Sequence, residues 1–393
     1  MNVTIRQIQG EEMLETMYSL NSYSLHASPP FQDREEWMEA VRGRPGIICQ
    51  AVYEDERPVS VAVSTPMTQN MRGRLYPVSG VWGVSTFPSA RRKGYCRQAM
   101  AAVLSSERDS GKVLSNLYPF RESFYERLGY VAFPLTKIAR FTTRDLAPVL
   151  KIETGGNVHL QPVSDGFEAY RAYIARMRET RHGMAFFDVG DRSGIKRYPA
   201  WMARADFDGE TEGVMLYRTL GEEVTKYKFF ATRFYYQTSR ARYLLLNWIA
   251  RHVDQAEQVE LWLSADEYPE TWLADSGMKV ESAIRPAMSR VLEVGKLGGM
   301  PVGEGSFSAR IIDPLCPWNE GVWEFTSNQG RLEVTESQGA ACELTIQGLT
   351  SLITGVHDPQ DFSLRGWGNP GEGTQAVLSK MFPRMNPYMH EYF

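Results

Sequence analysis

The sequence predicts an α/β fold over the first two thirds of the chain and an α+β segment in the last third. Three observations carry this. Strand-like and helix-like stretches alternate from Val3 to Tyr130. The same order of elements recurs after a polar, glycine-containing stretch, Lys151–Asn157, which reads as a linker. From Arg285 the chain becomes rich in Gly and Pro, with short alternating strand pieces. At roughly 150 residues per domain, 393 residues suggest two or three domains. The expected divisions are 1–150, 151–285 and 286–393.

Taken in order, Val3–Ile8 alternates as a strand, and helical stretches follow over Glu11–Leu20 and Asp33–Arg42. Ile47–Tyr53 and Val59–Ser64 read as strands joined by a turn at Glu54–Pro58. Val78–Phe87 is a further strand, closed by Pro88. Arg91–Ser110 reads as a helix, Val113–Tyr118 as a short strand, and Arg121–Leu128 as a helix stopped by Gly129. Past the linker come a strand (Val158–Pro162), a helix (Asp165–Glu179) and a hairpin around Gly221 (Val214–Tyr217, Val224–Ala231). A helix (Ser239–Val253) and a strand (Gln258–Leu263) complete that segment. In the last third, Phe307–Ile312, Gly321–Thr326 and Leu332–Thr335 are strand-like, while Gln347–Leu352 and Glu372–Met381 are helical.

Composition narrows the function. Lys plus Arg is 43 and Asp plus Glu is 47, a net charge of −4, which argues against a general nucleic-acid coater. No apolar run approaches the ~18 residues of a membrane span. The polar opening Met1–Arg6 gives no expectation of a signal peptide. Cys49, Cys96, Cys316 and Cys342 form no CxxC pair, and the six histidines show no HxxxH spacing. A reduced, cytoplasmic chain without a metal site is therefore expected.

The chemistry sits in Val81–Met100. A strand ends at Pro88, then Arg91, Arg92, Lys93 and Gly94 precede a helix. A helix N-terminus offers unsatisfied N–H groups and the positive end of the dipole, a seat for a pyrophosphate. Gly94 lets the backbone approach a phosphate closely. One glycine excludes the dinucleotide fingerprint, and no Gly-Lys-Ser/Thr follows, which excludes a Walker loop.

Arg91-x-x-Gly94-x-Cys96 resembles the coenzyme A loop of the GNAT acyltransferases, with Cys96 in place of Gly or Ala. The downstream Phe124-Tyr125-Glu126-Arg127-Leu128-Gly129-Tyr130 resembles the same family's ending. In length, motifs and terminal aromatic residue, the whole chain resembles the Eis-like (enhanced intracellular survival) acetyltransferases. The resemblance implies two tandem GNAT-like domains followed by a sterol-carrier-like C-terminal domain. It implies acetyl-CoA contacts at Val84, Ser85 and Thr86, at Arg92, Lys93, Gly94, Tyr95, Cys96 and Arg97, and at Phe120 and Arg121. It also implies Tyr125 as proton donor, the carboxylate of Phe393 as proton acceptor, and a homo-oligomer, typically a hexamer.

The chemistry constrains these roles. A phenol of pKa ~10 is protonated at neutral pH and can supply a leaving thiolate. A free α-carboxyl of pKa ~3.5 is a weak base for an amine, so the Phe393 carboxylate is expected to orient a cationic amine or relay its proton. His390 and Glu391 are the neighbouring alternatives. Trp37 and Phe31 read as acceptor-pocket residues or, at least as readily, as core or surface residues. The best basic stretch of the second domain, Arg240-Ala241-Arg242, precedes a helix without the glycine, so that domain is expected to bind no CoA. The resulting expectation is an N-acetyltransferase for a primary amine (aminoglycoside-, polyamine- or lysine-like). The alternative is a lipid carrier or scaffold with an inactive GNAT domain.

Overall fold

A computed structural model describes residues 2–25, 33–188, 199–283 and 285–393; Phe31 lies outside them. Contacts divide the chain into two compact units. The first comprises Met1–Phe133, Glu179–Val189 and Arg285–Phe393, the second Pro134–Arg178 and Gly190–Ile284.

The first unit is built on an eight-stranded sheet ordered β1-β2-β3-β4-β5-β15-β6, with β9 paired to β3. Its strands are β1 (Val3–Gln7), β2 (Ile48–Glu54), β3 (Arg57–Met71), β4 (Arg74–Thr86), β5 (Leu114–Leu117), β6 (Val131–Ala132), β9 (Ala185–Phe187) and β15 (Met288–Val291). Strands β3 and β4 are longer than the sequence suggests. They run on through Thr65–Asn70 and Leu75–Pro77 and meet at a two-residue turn, Arg72–Gly73, with both residues at positive φ (51° and 80°). The composition of Thr65–Asn70 hides this stretch, because it carries Pro66 and polar residues. Gln69 and Asn70 are nevertheless fully buried and hydrogen-bonded inside the sheet's surroundings.

Alternation along the strands sends two sets of side chains to opposite faces. Val81, Leu117 and Met288 pack under α3 (Tyr95–Asp109) and α4 (Glu122–Glu126). Met67, Val78, Leu114 and Val291 pack against the C-terminal segment. On that second face, toward β2, lie α1 (Gly10–Ser24) and α2 (Arg34–Arg42), whose Leu14, Met17, Leu20 and Met38 cover Cys49, Ala51, Val61 and Val63. The C-terminal segment has its own four-stranded sheet, ordered β18-β17-β16-β19. Those strands are β16 (Ser306–Ile312), β17 (Gly321–Asn328), β18 (Arg331–Glu336) and β19 (Cys342–Thr345). Helices α7 (Ile346–Thr354), α8 (Phe362–Arg365) and α9 (Glu372–Met381) follow them.

The second unit carries a seven-stranded sheet, β14-β7-β13-β12-β11-β10-β8. Its strands are β7 (Lys137–Phe141), β8 (Asn157–Pro162), β10 (Trp201–Phe207), β11 (Glu210–Leu220), β12 (Tyr227–Tyr236), β13 (Ala256–Leu263) and β14 (Lys279–Ser282). Helix α6 (Ser239–Ala250) buries Leu245, Leu246 and Ile249 in its core, and α5 (Phe167–Thr180) precedes the return to β9. Strand membership thus crosses the linear divisions. β7 precedes the Lys151–Asn157 stretch yet pairs with β13, while β9 and β15 pair with strands of the first sheet.

Candidate active site

The central pair of the first sheet comes apart. β4 and β5 run parallel from Val78↔Leu114 to Val81↔Leu117, and no pair follows. Two features of β4 produce this. Gly83 adopts φ 60°, and the register with β3 slips between Val61 and Val63, so β4 bulges just past its last pair with β5. The bulge is held from one side by Asn21 of α1, whose Oδ1 accepts from Ser85 Oγ at 2.5 Å. Ser60 Oγ donates to the Ser85 carbonyl at 3.0 Å and lies 2.8 Å from Thr86 Oγ1. Val84 packs toward the α3 side. The expected residues Val84, Ser85 and Thr86 therefore lie on the strand segment that has left its parallel partner.

The basic loop follows at once. The expected helix start at Arg91 is corrected to Tyr95, because Arg92 and Gly94 both take positive φ (64° and 83°), which no helix interior accepts. Pro88–Ala90 form a single 3-10 turn instead. No side chain caps α3, and the first helical bond runs from Gln98 N–H to Gly94 O at 3.1 Å. The amides of Tyr95, Cys96 and Arg97 thus precede the ladder, and the space a Cβ would take at Gly94 is open. Arg92 is exposed with no side-chain partner among the described residues. Lys93 instead pairs with Glu54 at 2.7 Å and holds that carboxyl below its usual range. Arg97 donates to Pro314 O at 3.2 Å, and the Tyr95 ring is buried. An open helix N-terminus with one free guanidinium fits a diphosphate.

Tyr125 lies on α4, directly after the strand that diverges. Its ring is edge-on to Phe124 (5.1 Å) and to the exposed Phe120 (5.9 Å). Arg121 precedes α4 and is exposed. Tyr125 is 5% exposed, yet its hydroxyl makes no hydrogen bond among the described residues and is not one of the buried atoms left unpaired. The little surface it keeps therefore includes that oxygen. Burial, and secondarily Cys96, pushes the phenol above its ordinary value. The Cys96 thiol is itself pushed up to about 11 by burial. The helix is held from the C-terminal segment: Gln347 Nε2 donates to Glu126 O at 2.8 Å and Trp367 Nε1 to Glu126 Oε1 at 3.2 Å. Arg290, buried in an ion pair with Asp313 at 2.5 Å, donates to Leu128 O at 2.6 Å.

Phe393 approaches the split from the other face. Its ring lies over Gly80, where a Cβ would stand 3.1 Å from it, and edge-on to Tyr118 (5.7 Å) and Phe187 (5.4 Å). Gly80 pairs with Asn116, one residue before the last β4–β5 pair, and Tyr118 is the first residue past it. The preceding residues are fastened too: Tyr118 Oη donates to Glu391 O at 3.0 Å, and Glu391 N donates to Ala185 O at 3.3 Å. His390 is buried, 6.3 Å from the Phe186 ring. The structure thus sets Tyr125 and Phe393 on opposite faces of the sheet beside one opening. Trp37 packs edge-on to Tyr18 (5.5 Å) against the α1–α2 cluster.

Residues 4–133 match the acetyltransferase (GNAT) domain family. Residues 295–390 match the sterol carrier protein domain family. No curated protein matches the chain. Among solved structures, a GCN5-related N-acetyltransferase from Anabaena variabilis is similar, with 18% identity, all of both chains covered and a TM-score of 0.85. A probable N-acyltransferase from Enterococcus faecalis gives 21% identity, full coverage of both chains and a TM-score of 0.83. Eis1 from Mycobacterium abscessus gives 15% identity, coverage of 99% of this chain and 100% of that one, and a TM-score of 0.81. At these identities the likeness is one of fold: a mixed α/β chain with a GNAT domain first and a sterol-carrier domain last.

The GNAT domain's split has a counterpart in the second unit, where β12 and β13 run parallel to Ala231↔Leu261 and β12 continues to Tyr236. There Trp272 stacks on Phe234 (5.9 Å) and meets Tyr236 (6.4 Å), with the Arg242 guanidinium 5.1 Å from its ring. The following helix, α6, is capped by Thr238, whose Oγ1 accepts from Ala241 N, and Arg240 is bound to Glu212. Sequence reasoning missed Asn21, Glu54, Gly80, Gly83 and Arg290. The two glycines inside a strand pattern carried a legible signal, since an interior strand glycine marks a bulge or a close approach. The others belong to elements remote in sequence. Among the described residues no group of three His, Cys, Asp or Glu could hold a metal ion, and no helix is long and apolar enough to cross a membrane.

Proposed function

We propose that this chain is an acetyl-CoA-dependent N-acetyltransferase that acts on a primary amine by direct transfer, with an aminoglycoside-, polyamine- or lysine-like acceptor. The observation that carries the reading is the uncapped N-terminus of α3, with its left-handed Gly94, beside the parted strands β4 and β5. In this reading the amides of Tyr95, Cys96 and Arg97 hold the diphosphate, Gly94 admits it, and Arg92 and Lys93 add charge at the rim. Val84, Ser85 and Thr86 offer backbone amides along the opened strand, and Phe120 and Arg121 flank the entrance. Bound acetyl-CoA supplies the activated acetyl thioester.

Tyr125 Oη gives its proton to the departing sulfur. Its raised pKa keeps it protonated at neutral pH, as a general acid requires. The Phe393 carboxylate holds the incoming ammonium and accepts or relays its proton, with His390 and Glu391 as neighbours. Residues 1–150 then form the CoA-binding module. Residues 151–285 serve as a scaffold without a CoA site, in keeping with the capped α6 and the place taken by Trp272. Residues 286–393 supply the carboxylate. A cytoplasmic homo-oligomer, a hexamer by the Eis resemblance, is part of the proposal, and native mass spectrometry counts its subunits.

The test is thiol release from acetyl-CoA with panels of aminoglycosides, polyamines and lysine peptides, alongside calorimetry with CoA. Binding together with amine-dependent release supports the reading; absence of both overturns it. A chain extended beyond Phe393 should lose turnover, and full activity of that variant overturns the carboxylate's role. A second reading, carriage of an apolar ligand, has in its favour the sterol-carrier match of residues 295–390. The core of that segment is filled by its own rings, with Phe307 stacked on Phe325 (4.8 Å) and Phe382 edge-on to Phe307 (6.3 Å). Co-purified lipid without CoA binding would favour the carrier.

A further inference from the structure

Arg72, at the β3–β4 turn, is 5% exposed and has no carboxylate partner among the described residues. Its Nε donates to Ile353 O (3.0 Å), and Nη2 donates to Leu352 O (2.8 Å) and to Pro383 O (2.9 Å). Nη1 faces Met385 Sδ at 3.5 Å. Leu352 and Ile353 lie in the last turn of α7, so the cation meets the negative end of that helix. The Arg72 backbone N–H donates to His182 Nδ1 at 3.0 Å. That leaves the histidine proton on Nε2, 2.8 Å from Thr354 O, so both residues close the same turn.

The same two residues hold the chain that leads to Phe393. Arg72 binds the carbonyl of Pro383. His182 accepts Tyr388 N–H on its own carbonyl at 3.0 Å, and Pro387 and Tyr388 lie directly against Gly183. From there Glu391 bonds to Ala185, and Phe393 reaches Gly80. A guanidinium buried without a counter-ion is costly, and an apolar side chain would fill the space at less expense. What an apolar residue cannot do is join three carbonyls from two separate segments at fixed angles.

We propose that Arg72 and His182 form a latch that sets where the C-terminal tail lies, and so act as positioning residues for the Phe393 carboxylate. The second half of this statement rests on the acetyltransferase reading above; the first half does not.

Two measurements on the full chain test it. The first is the rate at which carboxypeptidase A frees Phe393, followed by mass spectrometry well below the unfolding temperature. Arg72→Met should speed release about tenfold or more, and Arg72→Lys, which keeps the charge but not the fork, should fall between. Release at the wild-type rate in both variants overturns the latch. The second is a four-way comparison of wild type, Arg72→Met, a chain lacking Phe393, and the combination. Arg72→Met should lower kcat about tenfold, with CoA affinity within a factor of two, and should have no further effect once Phe393 is gone. An equal drop in both backgrounds overturns the positioning role. Should removal of Phe393 leave turnover unchanged, the carboxylate reading fails, and the release assay still decides the latch. Should Arg72→Met fail to fold, Arg72→Lys carries both measurements.

Discussion

The ring of Phe393 lies on Gly80, so close that a methyl group on the glycine would stand 3.1 Å from it and 2.6 Å from Met67 Sδ. Gly80→Ala must therefore displace the ring, the thioether or the strand. We expect a stability loss of about 1–3 kcal/mol by overpacking. We also expect a several-fold fall in turnover, with CoA affinity unchanged. Urea denaturation and calorimetry read the two effects separately.

Tyr125→Phe removes an oxygen that bonds to no described residue while keeping the ring contacts with Phe120, Phe124 and Tyr130. Stability should change little. Turnover should fall about 10²–10⁴-fold, the range typical of a lost general acid, with acetyl-CoA affinity within a factor of two. Equal kcat in the two proteins would remove Tyr125 from the chemistry.

Arg290 and Asp313 are both fully buried, and Asp313 also takes a hydrogen bond from Asn319 at 2.9 Å. Arg290→Met or Asp313→Asn should each cost about 3–5 kcal/mol, because each strands a buried partner. The double variant should cost less than the sum, by a coupling that a denaturation cycle measures. Since Arg290 holds Leu128 O, two residues past α4, Arg290→Met should also lower kcat for the amine.

His182 is buried and its pKa is pushed down to about 4, chiefly by burial. A base lowered from an unfolded value near 6.5 adds stability that is complete above pH 6.5 and is lost as pH falls toward 4. The span is worth about 3 kcal/mol. His182→Gln should therefore show a flatter stability curve than wild type between pH 7 and pH 4.5. His357, also pushed down to about 4 by burial, is present in both proteins and drops out of the comparison. Parallel curves would contradict the assignment.

Much of this was legible in the residues. The helices α1, α3, α6 and α9 stood in the sequence because each buries one side, and the strands around Val52, Val61 and Val81 because they are apolar on both faces and packed on both. The loop at Arg92–Gly94 and the tyrosine at 125 were legible because their neighbours in sequence are also their neighbours in space. The rest depends on contacts between distant segments. The polar look of Thr65–Asn70 concealed half a hairpin, whose buried Gln69 and Asn70 side-chain amides donate to the carbonyls of Gly183 and Glu179, more than 100 residues on. The pairing of β15 with β5, the tie from Asn21 to Ser85, and the seat of Phe393 on Gly80 leave no local signature for the same reason.

Strands β9 and β15 bear on how the nascent polypeptide acquires its shape. The free edge of β5 finds its partner only when residues 288–291 arrive, and β3 finds β9 only at residues 185–187. A ribosome that has delivered only the first 133 residues has thus made the basic loop at Arg92–Gly94 and Tyr125, but a sheet with an unsatisfied inner margin. Fragments expressed up to that point should aggregate through this margin, and competence should appear only late in synthesis.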